Sequence, residues 1–191
     1  MSPIETLEAG LGQFRAAITN VDDVGWDTPT NCEPWSARQL ASHALNSQLL
    51  WVGVLTGREL VSIGAVMKAE PFEGDLMVKA DEVIAIAREA WHADGVLEAI
   101  HQTPFGELPG SVAINFPTID SFAHSWDLSS SVGEGLDFAD EVLPALEAII
   151  AMASNEATRS MGLFAEPTDP PLDANATERL MASAGRTIRR A

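Results

Sequence analysis

The chain has 191 residues, of which 46% are hydrophobic and 20% charged, a composition that suits one folded domain and argues against disorder. Its 28 acidic residues outnumber 11 basic ones, and the formal net charge of −17 disfavours binding to nucleic acid or to an anionic membrane surface. No run approaches the roughly 18–20 apolar residues that span a bilayer, and the N-terminus lacks the basic segment of a secretory signal. The single cysteine, Cys32, cannot form an internal disulfide, so we expect a cytoplasmic protein.

Apolar residues recur every three or four positions along most of the chain, a spacing that predicts helices rather than strands. The first helix is expected over residues 3–20. Ser36 is a suitable N-cap, and Gly57 a suitable C-cap, for the second. A third long helix is expected over residues 75–100, after an ambiguous segment at residues 59–67.

Pro and Gly interrupt the second half of the chain more often. Residues 101–110 are expected to form either a hairpin or a plain loop. The fourth helix is expected over residues 111–133, where Pro117 either kinks the helix or restarts it. A fifth helix is expected from Phe138 to Met161, and a short terminal helix from Ala176 follows a Pro-rich spacer.

These elements predict an all-α fold, a four-helix bundle with a short additional C-terminal helix. We expect residues 1–163 to form the bundle and residues 164–191 to form a spacer and a helix that packs on the bundle or extends it. Several apolar residues of the second helix suggest more apolar surface than one core requires, which is compatible with a homodimer. They are Leu49, Leu50, Val52 and Val54.

One of the four histidines is paired with a carboxylate at helical spacing. Asp120 and His124 are four residues apart on the fourth predicted helix, so their Cβ atoms should lie about 5–6 Å apart on one face. A carboxylate and an imidazole at that separation can share a metal ion. Asp127 follows His124 by three residues on nearly the same face, and it is predicted to orient the imidazole as a hydrogen-bond acceptor.

A third metal ligand has to come from another helix, and His43 is the best candidate because it interrupts an apolar stripe of the second helix. From spacing alone a structural explanation is favoured. His43 would then be a core histidine bonded to a carbonyl, and Asp120 and His124 would form an ordinary helical ion pair. His92 and His101 are expected on the surface.

Other site chemistries have little support in the sequence. It contains neither a Gly-rich phosphate loop nor a nucleophile elbow. Cys32 has the acidic neighbours Asp27 and Glu33 and is expected to be unreactive. The basic residues at the end of the chain are expected to form a solvated, frayed helix end rather than an interaction arm. They are Arg179, Arg186, Arg189 and Arg190.

Three stretches of the sequence carry a family resemblance. They are WDTPTNCEPWSARQLASHALNSQLLWVGVLTGR, which includes Trp26, Pro29, Trp35, Arg38 and His43; TIDSFAHSWDLSSSVG, with a D-x-x-x-H-x-W-D-L pattern; and the closing GLFAEPTDPPLDANATERLMASAGR. In this order they resemble actinobacterial proteins related to the mycothiol-dependent maleylpyruvate isomerase, a group within the DinB/YfiT-like superfamily of metalloenzymes.

The resemblance implies a DinB-like four-helix bundle with a divalent metal at one end. The family's ligand positions fall here on His43, Asp120 and His124, with Asp120 in place of the isomerase's longer Glu. Zinc is the expected metal, with nickel, manganese or iron as alternatives. Mycothiol or a similar low-molecular-weight thiol is the implied co-substrate. A separate C-terminal domain like that of the isomerase is not expected, so the isomerase's own substrate is not implied.

The sequence therefore predicts a metal-dependent transferase or isomerase that uses a low-molecular-weight thiol of the mycothiol type on a small electrophilic molecule. No catalytic residue beyond the metal ligands is expected. Two alternatives remain open: a non-catalytic bundle that binds a metal or a small ligand, and a non-haem Fe(II) enzyme built on the same two histidines and one carboxylate. The expected partners are the small-molecule substrate and the thiol, without nucleic acid or membrane.

Overall fold

The computed structural model describes residues 1–22 and 24–188, and the fold is all-α, as the sequence predicted. The helices are α1 (Pro3–Thr19), α2 (Ala37–Thr56), α3 (Ile63–Met67), α4 (Leu76–Trp91), α5 (Gly110–Ala113), α6 (Asn115–Ser131), α7 (Leu143–Ala153), α8 (Glu156–Ser160) and α9 (Ala176–Ser183). Two short strands, β1 (Ile100–Thr103) and β2 (Gly106–Pro109), form an antiparallel hairpin. Among the described residues, no helix has the length and apolar character needed to cross a membrane.

Caps that can be read in the sequence set the ends of several helices. Ser2 and Ser36 each accept a hydrogen bond from the backbone N–H three residues further on, and both belong to capping boxes. The side chains of Asp75 and Asn175 cap α4 and α9 in the same way. Gly57 ends α2 at a φ of 66°, a conformation that residues with a Cβ rarely adopt. The predicted limits of the second helix are thereby confirmed.

Two predicted helices are shorter than the sequence suggested. The third ends at Trp91 instead of residue 100, because the chain turns at Gly95 with a φ of 71°. The fifth begins at Leu143 instead of Phe138. It is also divided, because the Asn155 side chain accepts hydrogen bonds from two backbone N–H groups and so starts α8 as a separate helix.

The structure answers two questions that the sequence left open, the conformation of residues 101–110 and the effect of Pro117 on the fourth predicted helix. The predicted segment 101–110 forms a hairpin, whose strands run from Ile100 to Pro109 and pair Thr103 with Gly106 beside the turn. The fourth predicted helix restarts: α5 ends at Ala113 and α6 begins at Asn115. Pro117 lies in the first turn of α6, where its missing N–H costs no hydrogen bond within the helix.

The four longest helices enclose the main core. Helix α1 contacts α4 and α6, and α2 also contacts α4 and α6, so each of the four packs against two others. A second apolar cluster joins the opposite side of α6 to α7 and α9. Helix α6 is therefore buried on both sides, and polar side chains on it are held away from bulk water.

The apolar residues of α2 that suggested extra surface are largely covered. Val52 is buried, and Leu49 and Val54 pack partly against the core. Leu50 is half-buried and lines a cleft of about 410 Å³ between the end of α2, the segment before α3 and the hairpin. The homodimer remains a prediction.

Helices α1 and α6 approach closely at Gly10. A Cβ at this position would lie 2.9 Å from the Phe122 ring and 3.2 Å from the Ser121 Cβ. Gly12, two residues further along the same helix, is exposed, and a Cβ there would have no neighbour within 4 Å. The two glycines thus offer the same substitution on one helix with and without a packing conflict.

We expect Gly12→Ala to raise the free energy of unfolding by about 0.5–1 kcal/mol, because alanine favours the helix. Gly10→Ala gains the same propensity, but the conflict with Phe122 should cost about 1–3 kcal/mol, so this variant should be less stable than Gly12→Ala. Urea unfolding of the two variants measures the difference. Equal stability of the two variants would contradict the close approach of α1 and α6.

Candidate metal centre

Helices α2 and α6 bring the three predicted ligands together. Asp120 Oδ1 lies 3.2 Å from His124 Nε2 and 3.6 Å from His43 Nε2. The side chains of His43 and His124 are only 11% and 7% exposed, and that of Asp120 is 20% exposed. The imidazole rings of the two histidines meet edge to face, with centroids 5.0 Å apart. Two ring nitrogens and a carboxylate oxygen therefore converge on one partly enclosed point.

The other ring nitrogen of each histidine has a partner that fixes its role. His43 Nδ1 lies 2.8 Å from the Val66 carbonyl oxygen, which can only accept, so Nδ1 carries the proton and donates it. His124 Nδ1 lies 3.0 Å from Asp127 Oδ2 and donates to that carboxylate. In a neutral imidazole the remaining nitrogen then has a free lone pair. In the neutral form both Nε2 lone pairs face Asp120, and a proton on either Nε2 would turn that contact into a hydrogen bond to the carboxylate.

This arrangement brings electron-rich atoms close together and shifts the pKa values of Asp120 and His124. Burial alone would raise the pKa of Asp120, but its attraction to His124 and the hydrogen bonds of both histidines hold that pKa well below its ordinary range. Burial alone would lower the pKa of His124, but the negative charge of Asp120 and the hydrogen bonds to Asp120 and Asp127 raise it. The site therefore favours a positive charge between Asp120 and His124.

A metal ion is a positive charge that suits these residues. Asp120 Oδ2 is buried and, within the part of the chain that the structure describes, accepts no hydrogen bond. A buried carboxylate oxygen without a partner is rare in proteins, and a metal ion would satisfy it. Two imidazole nitrogens and a carboxylate oxygen are also the donors found in catalytic zinc sites that keep an open position. The residues present fit a divalent metal.

Arg186 pairs with Asp127 behind His124. Its Nη2 lies 3.0 Å from Asp127 Oδ2 and its Nε lies 3.4 Å from Oδ1, and the Asp127 side chain is completely buried. Burial alone would raise the pKa of Asp127, but the charge of Arg186 and the hydrogen bond from His124 hold it well below its ordinary range. The expectation of a solvated, frayed end is therefore wrong for Arg186. Arg189 and Arg190 lie outside the described residues.

Cys32 lies on the same side of His124 as Asp127. Its Sγ is 3.3 Å from Asp127 Oδ2 and 3.9 Å from Arg186 Nη2. Cys32, His124 and Asp127 are close enough to hold a cation. The guanidinium of Arg186 already supplies a positive charge to this group, so a second metal is disfavoured there. That Cys32 is unreactive remains a prediction.

Trp35 packs against one side of the His43 ring. The centroids of the two rings are 4.6 Å apart and tilted by 34°. Trp35 belongs to the loop before α2, which closes on itself through a backbone hydrogen bond from Ala37 to Thr28. The apolar ring limits the access of water to His43 from that side.

The other two histidines lie apart from the predicted ligands. His92 is exposed at the end of α4, with its Nε2 3.2 Å from Glu8 Oε1, as the sequence suggested. His101 is half-buried on the hairpin, where its Nε2 lies 2.9 Å from the Val96 carbonyl oxygen. In the described part of the chain, neither histidine belongs to a group that could hold a metal.

Sequence reasoning missed two contacts of the site. The Val66 carbonyl that orients His43 is a backbone group in the segment that the pattern left ambiguous. Arg186 is separated from Asp127 by 59 positions. A basic residue directly after a glycine that ends a helix was its only signal, and that signal is common at ordinary helix ends.

Comparisons with known proteins give one family model and two full-length relatives. The family model of the mycothiol maleylpyruvate isomerase N-terminal domain matches residues 7–129. The uncharacterized proteins Rv0738 and MT0763 of Mycobacterium tuberculosis, from strains ATCC 25618 / H37Rv and CDC 1551 / Oshkosh, are each 30% identical over 194 residues, which cover 99% of this chain and 100% of each relative.

Two crystal structures of the mycothiol-dependent maleylpyruvate isomerase, one of them a mutant, share the fold of this chain. They superpose with TM-scores of 0.63 and 0.62 at 18% and 17% identity. Each match covers 78% of this chain and 68% of the isomerase chain. At this identity the likeness is one of fold.

The buried pair of Asp127 and Arg186 predicts a large effect on stability. Asp127→Ala should lower the free energy of unfolding at pH 7 by about 3–5 kcal/mol, because Arg186 would keep a buried charge without its partner. Asp81→Ala breaks the exposed pair with Arg15 and should change little, since water screens that pair. Urea unfolding measures both losses, and equal losses would contradict the buried pair.

The same pair predicts a pH dependence. The pKa of Asp127 is lowered by folding, so its contribution to stability is present above the unfolded value of about 3.9 and is lost as the pH falls further. The difference in stability between wild type and Asp127→Ala should therefore narrow below about pH 4. Urea unfolding at a series of pH values from 7 to 3 measures it. A difference that widens toward low pH would contradict the assignment.

Proposed function

Because the chain belongs to the family of the mycothiol maleylpyruvate isomerase N-terminal domain, we propose that it is a metal- and thiol-dependent transferase or isomerase. Its substrate would be a small electrophilic molecule. The observation that carries the proposal is the convergence of His43 Nε2, His124 Nε2 and Asp120 Oδ1 on one point. Family membership supports the thiol, and the convergence supports the metal.

His43, Asp120 and His124 would hold the metal, with zinc as the first candidate and nickel, manganese or iron as alternatives. When bound, the metal would polarise an oxygen of the substrate and favour the thiolate form of a thiol near neutral pH. The single negative charge of Asp120 would leave the site with a net positive charge, which suits an anionic thiolate. Mycothiol or a similar low-molecular-weight thiol is the proposed co-substrate.

The chain's own residues prepare this site in advance. The Val66 carbonyl and Asp127 each accept the Nδ1 proton of one histidine, which leaves the Nε2 lone pairs free for a cation. Trp35 shields one face of His43 from water. The two histidines, Val66 and Asp127 lie on α2, α3 and α6, so ligand binding would need little rearrangement.

The proposed chemistry needs no nucleophile from the protein, because the thiol supplies it. Cys32 is the only thiol of the chain, and its Sγ already contacts Asp127 and Arg186. The cytoplasm keeps small thiols reduced and is the proposed location.

The ligand set can be tested by elemental analysis of tag-free protein. Wild type should contain about one divalent metal ion per chain, and His43→Ala and His124→Ala should each lose it, because each removes one of three ligands. His92→Ala is the control, since His92 contacts Glu8 at the surface and should leave the metal content unchanged. Unchanged metal in His43→Ala would contradict the ligand set, and wild type that stays free of metal after reconstitution would contradict metal dependence.

The reaction class can be tested with metal-loaded protein, mycothiol and a panel of small electrophiles that includes maleylpyruvate. Consumption of the thiol indicates transfer, and conversion of the substrate without consumption of the thiol indicates isomerisation. Asp120→Asn should reduce the rate by at least about 100-fold, more than the loss of an outer hydrogen-bond partner would. His92→Ala should keep the full rate.

Two results of that assay would overturn the proposed chemistry. A loaded protein that is inert toward every thiol and electrophile would instead be a metal-binding module. Consumption of dioxygen with Fe(II) would indicate oxygen chemistry on the same ligands.

A further inference from the structure

Arg186 lies in a segment whose backbone is held in place. Gly185, at a φ of 88°, turns the chain at the end of α9. The backbone N–H of Arg186 then donates to the Met181 carbonyl, and its own carbonyl accepts a hydrogen bond of 2.6 Å from the Thr168 hydroxyl. The position of this arginine is therefore set by the packing of the C-terminal segment on itself.

The side chain of Arg186 reaches from this turn into the protein. It is only 12% exposed, and its Nη2 and Nε approach both oxygens of Asp127. A planar guanidinium that binds both oxygens fixes the plane of a carboxylate as well as its charge. Asp127 cannot turn away from His124 without losing one of these two bonds.

Asp127 Oδ2 is shared between Arg186 and His124, and the Cys32 Sγ lies 3.3 Å from the same oxygen. It accepts from Arg186 Nη2 at 3.0 Å and lies 3.0 Å from His124 Nδ1. An oxygen paired with a guanidinium stays an acceptor, so the proton of His124 stays on Nδ1 and its Nε2 lone pair stays directed at Asp120. The orientation of a proposed metal ligand thus depends on a residue 62 positions further along the chain.

We infer that Arg186 is a positioning residue for the metal centre, acting through Asp127 on His124. The inference rests on the proposed function, and it adds a role for the C-terminal segment in the metal site. The family match ends at residue 129, so the C-terminal segment would complete a site whose ligands all lie within the matched part. Arg186 itself would touch neither metal nor substrate.

A purely structural role for Arg186 predicts something different. In that case the arginine anchors the C-terminal segment, and its loss lowers stability while a folded variant binds metal as before. A positioning role predicts that a folded variant binds metal more weakly and with altered geometry. Metal affinity and the visible spectrum of bound Co²⁺ therefore separate the two roles.

The experiment is a titration of the full chain with Co²⁺, at a temperature where circular dichroism shows each variant to be folded. Arg186→Met keeps an unbranched side chain but removes the guanidinium and its charge, and it should weaken Co²⁺ binding by about 10–100-fold and shift the visible bands. Arg186→Lys keeps the charge but replaces the planar guanidinium by a single ammonium group. Its affinity for Co²⁺ should lie between those of wild type and Arg186→Met. Arg15→Met removes an arginine from an exposed pair with both oxygens of Asp81 and should bind as wild type does.

The route through Asp127 can be tested in the same titration. In an Asp127→Asn background, Arg186→Met should cause little further loss of affinity, because the connection to His124 is already weakened. A full additional loss in that background would overturn the route through Asp127.

The remaining outcomes each have one meaning. Folded Arg186→Met with the affinity and spectrum of wild type would overturn the positioning role. If Arg186→Met does not fold, Arg186→Lys decides: wild-type affinity overturns the role, and weaker binding supports it. A wild-type protein that binds no Co²⁺ would overturn the proposed function as well. If wild type binds Co²⁺ and Arg186→Met and Arg186→Lys bind it with the same affinity as wild type, only the positioning role is overturned.

Discussion

The structure around α6 depends on one electrostatic constraint. Two imidazole lone pairs and a carboxylate oxygen meet where water is largely excluded, and such an arrangement is stable only with a positive charge among them. Asp120 Oδ2 is buried and accepts no hydrogen bond in the described part of the chain, so this oxygen could bind such a positive charge. A proton can meet the constraint by charging His124, and a divalent metal meets it with all three groups at once.

Around this point, opposite charges alternate from the bundle to the C-terminal segment. Asp120 is followed by His124, then by Asp127 and finally by Arg186, each within 3.2 Å of the next. This alternation allows four ionisable groups to be buried together in a protein with a net charge of −17. If Arg186 positions Asp127 as inferred above, the alternation also links the orientation of a proposed ligand to the packing of the C-terminal segment.

The fold supports this row of groups by burying α6 on two sides. Gly10 lets α1 approach α6 at Phe122, and the Phe122 ring also belongs to the apolar cluster that α6 forms with α7 and α9. The helices and their caps were predictable because they depend on local sequence: Ser36 and Gly57 act within one turn of their own helix. The end of α4 and the division after α7 were not, because turns at Gly95 and Asn155 compete with a helical pattern that continues through them.

The sequence by itself determined the helical fold class and the placement of Asp120, His124 and Asp127 on one helix face, because their spacing is fixed by helix geometry. It suggested His43 through a polar interruption of an apolar stripe and through family resemblance. Only the tertiary structure decided that His43 faces Asp120, that the Val66 carbonyl orients it, and that Arg186 is buried against Asp127. The reason is physical: contacts within a helix follow from its period, whereas contacts between distant segments depend on how the helices are rotated and packed.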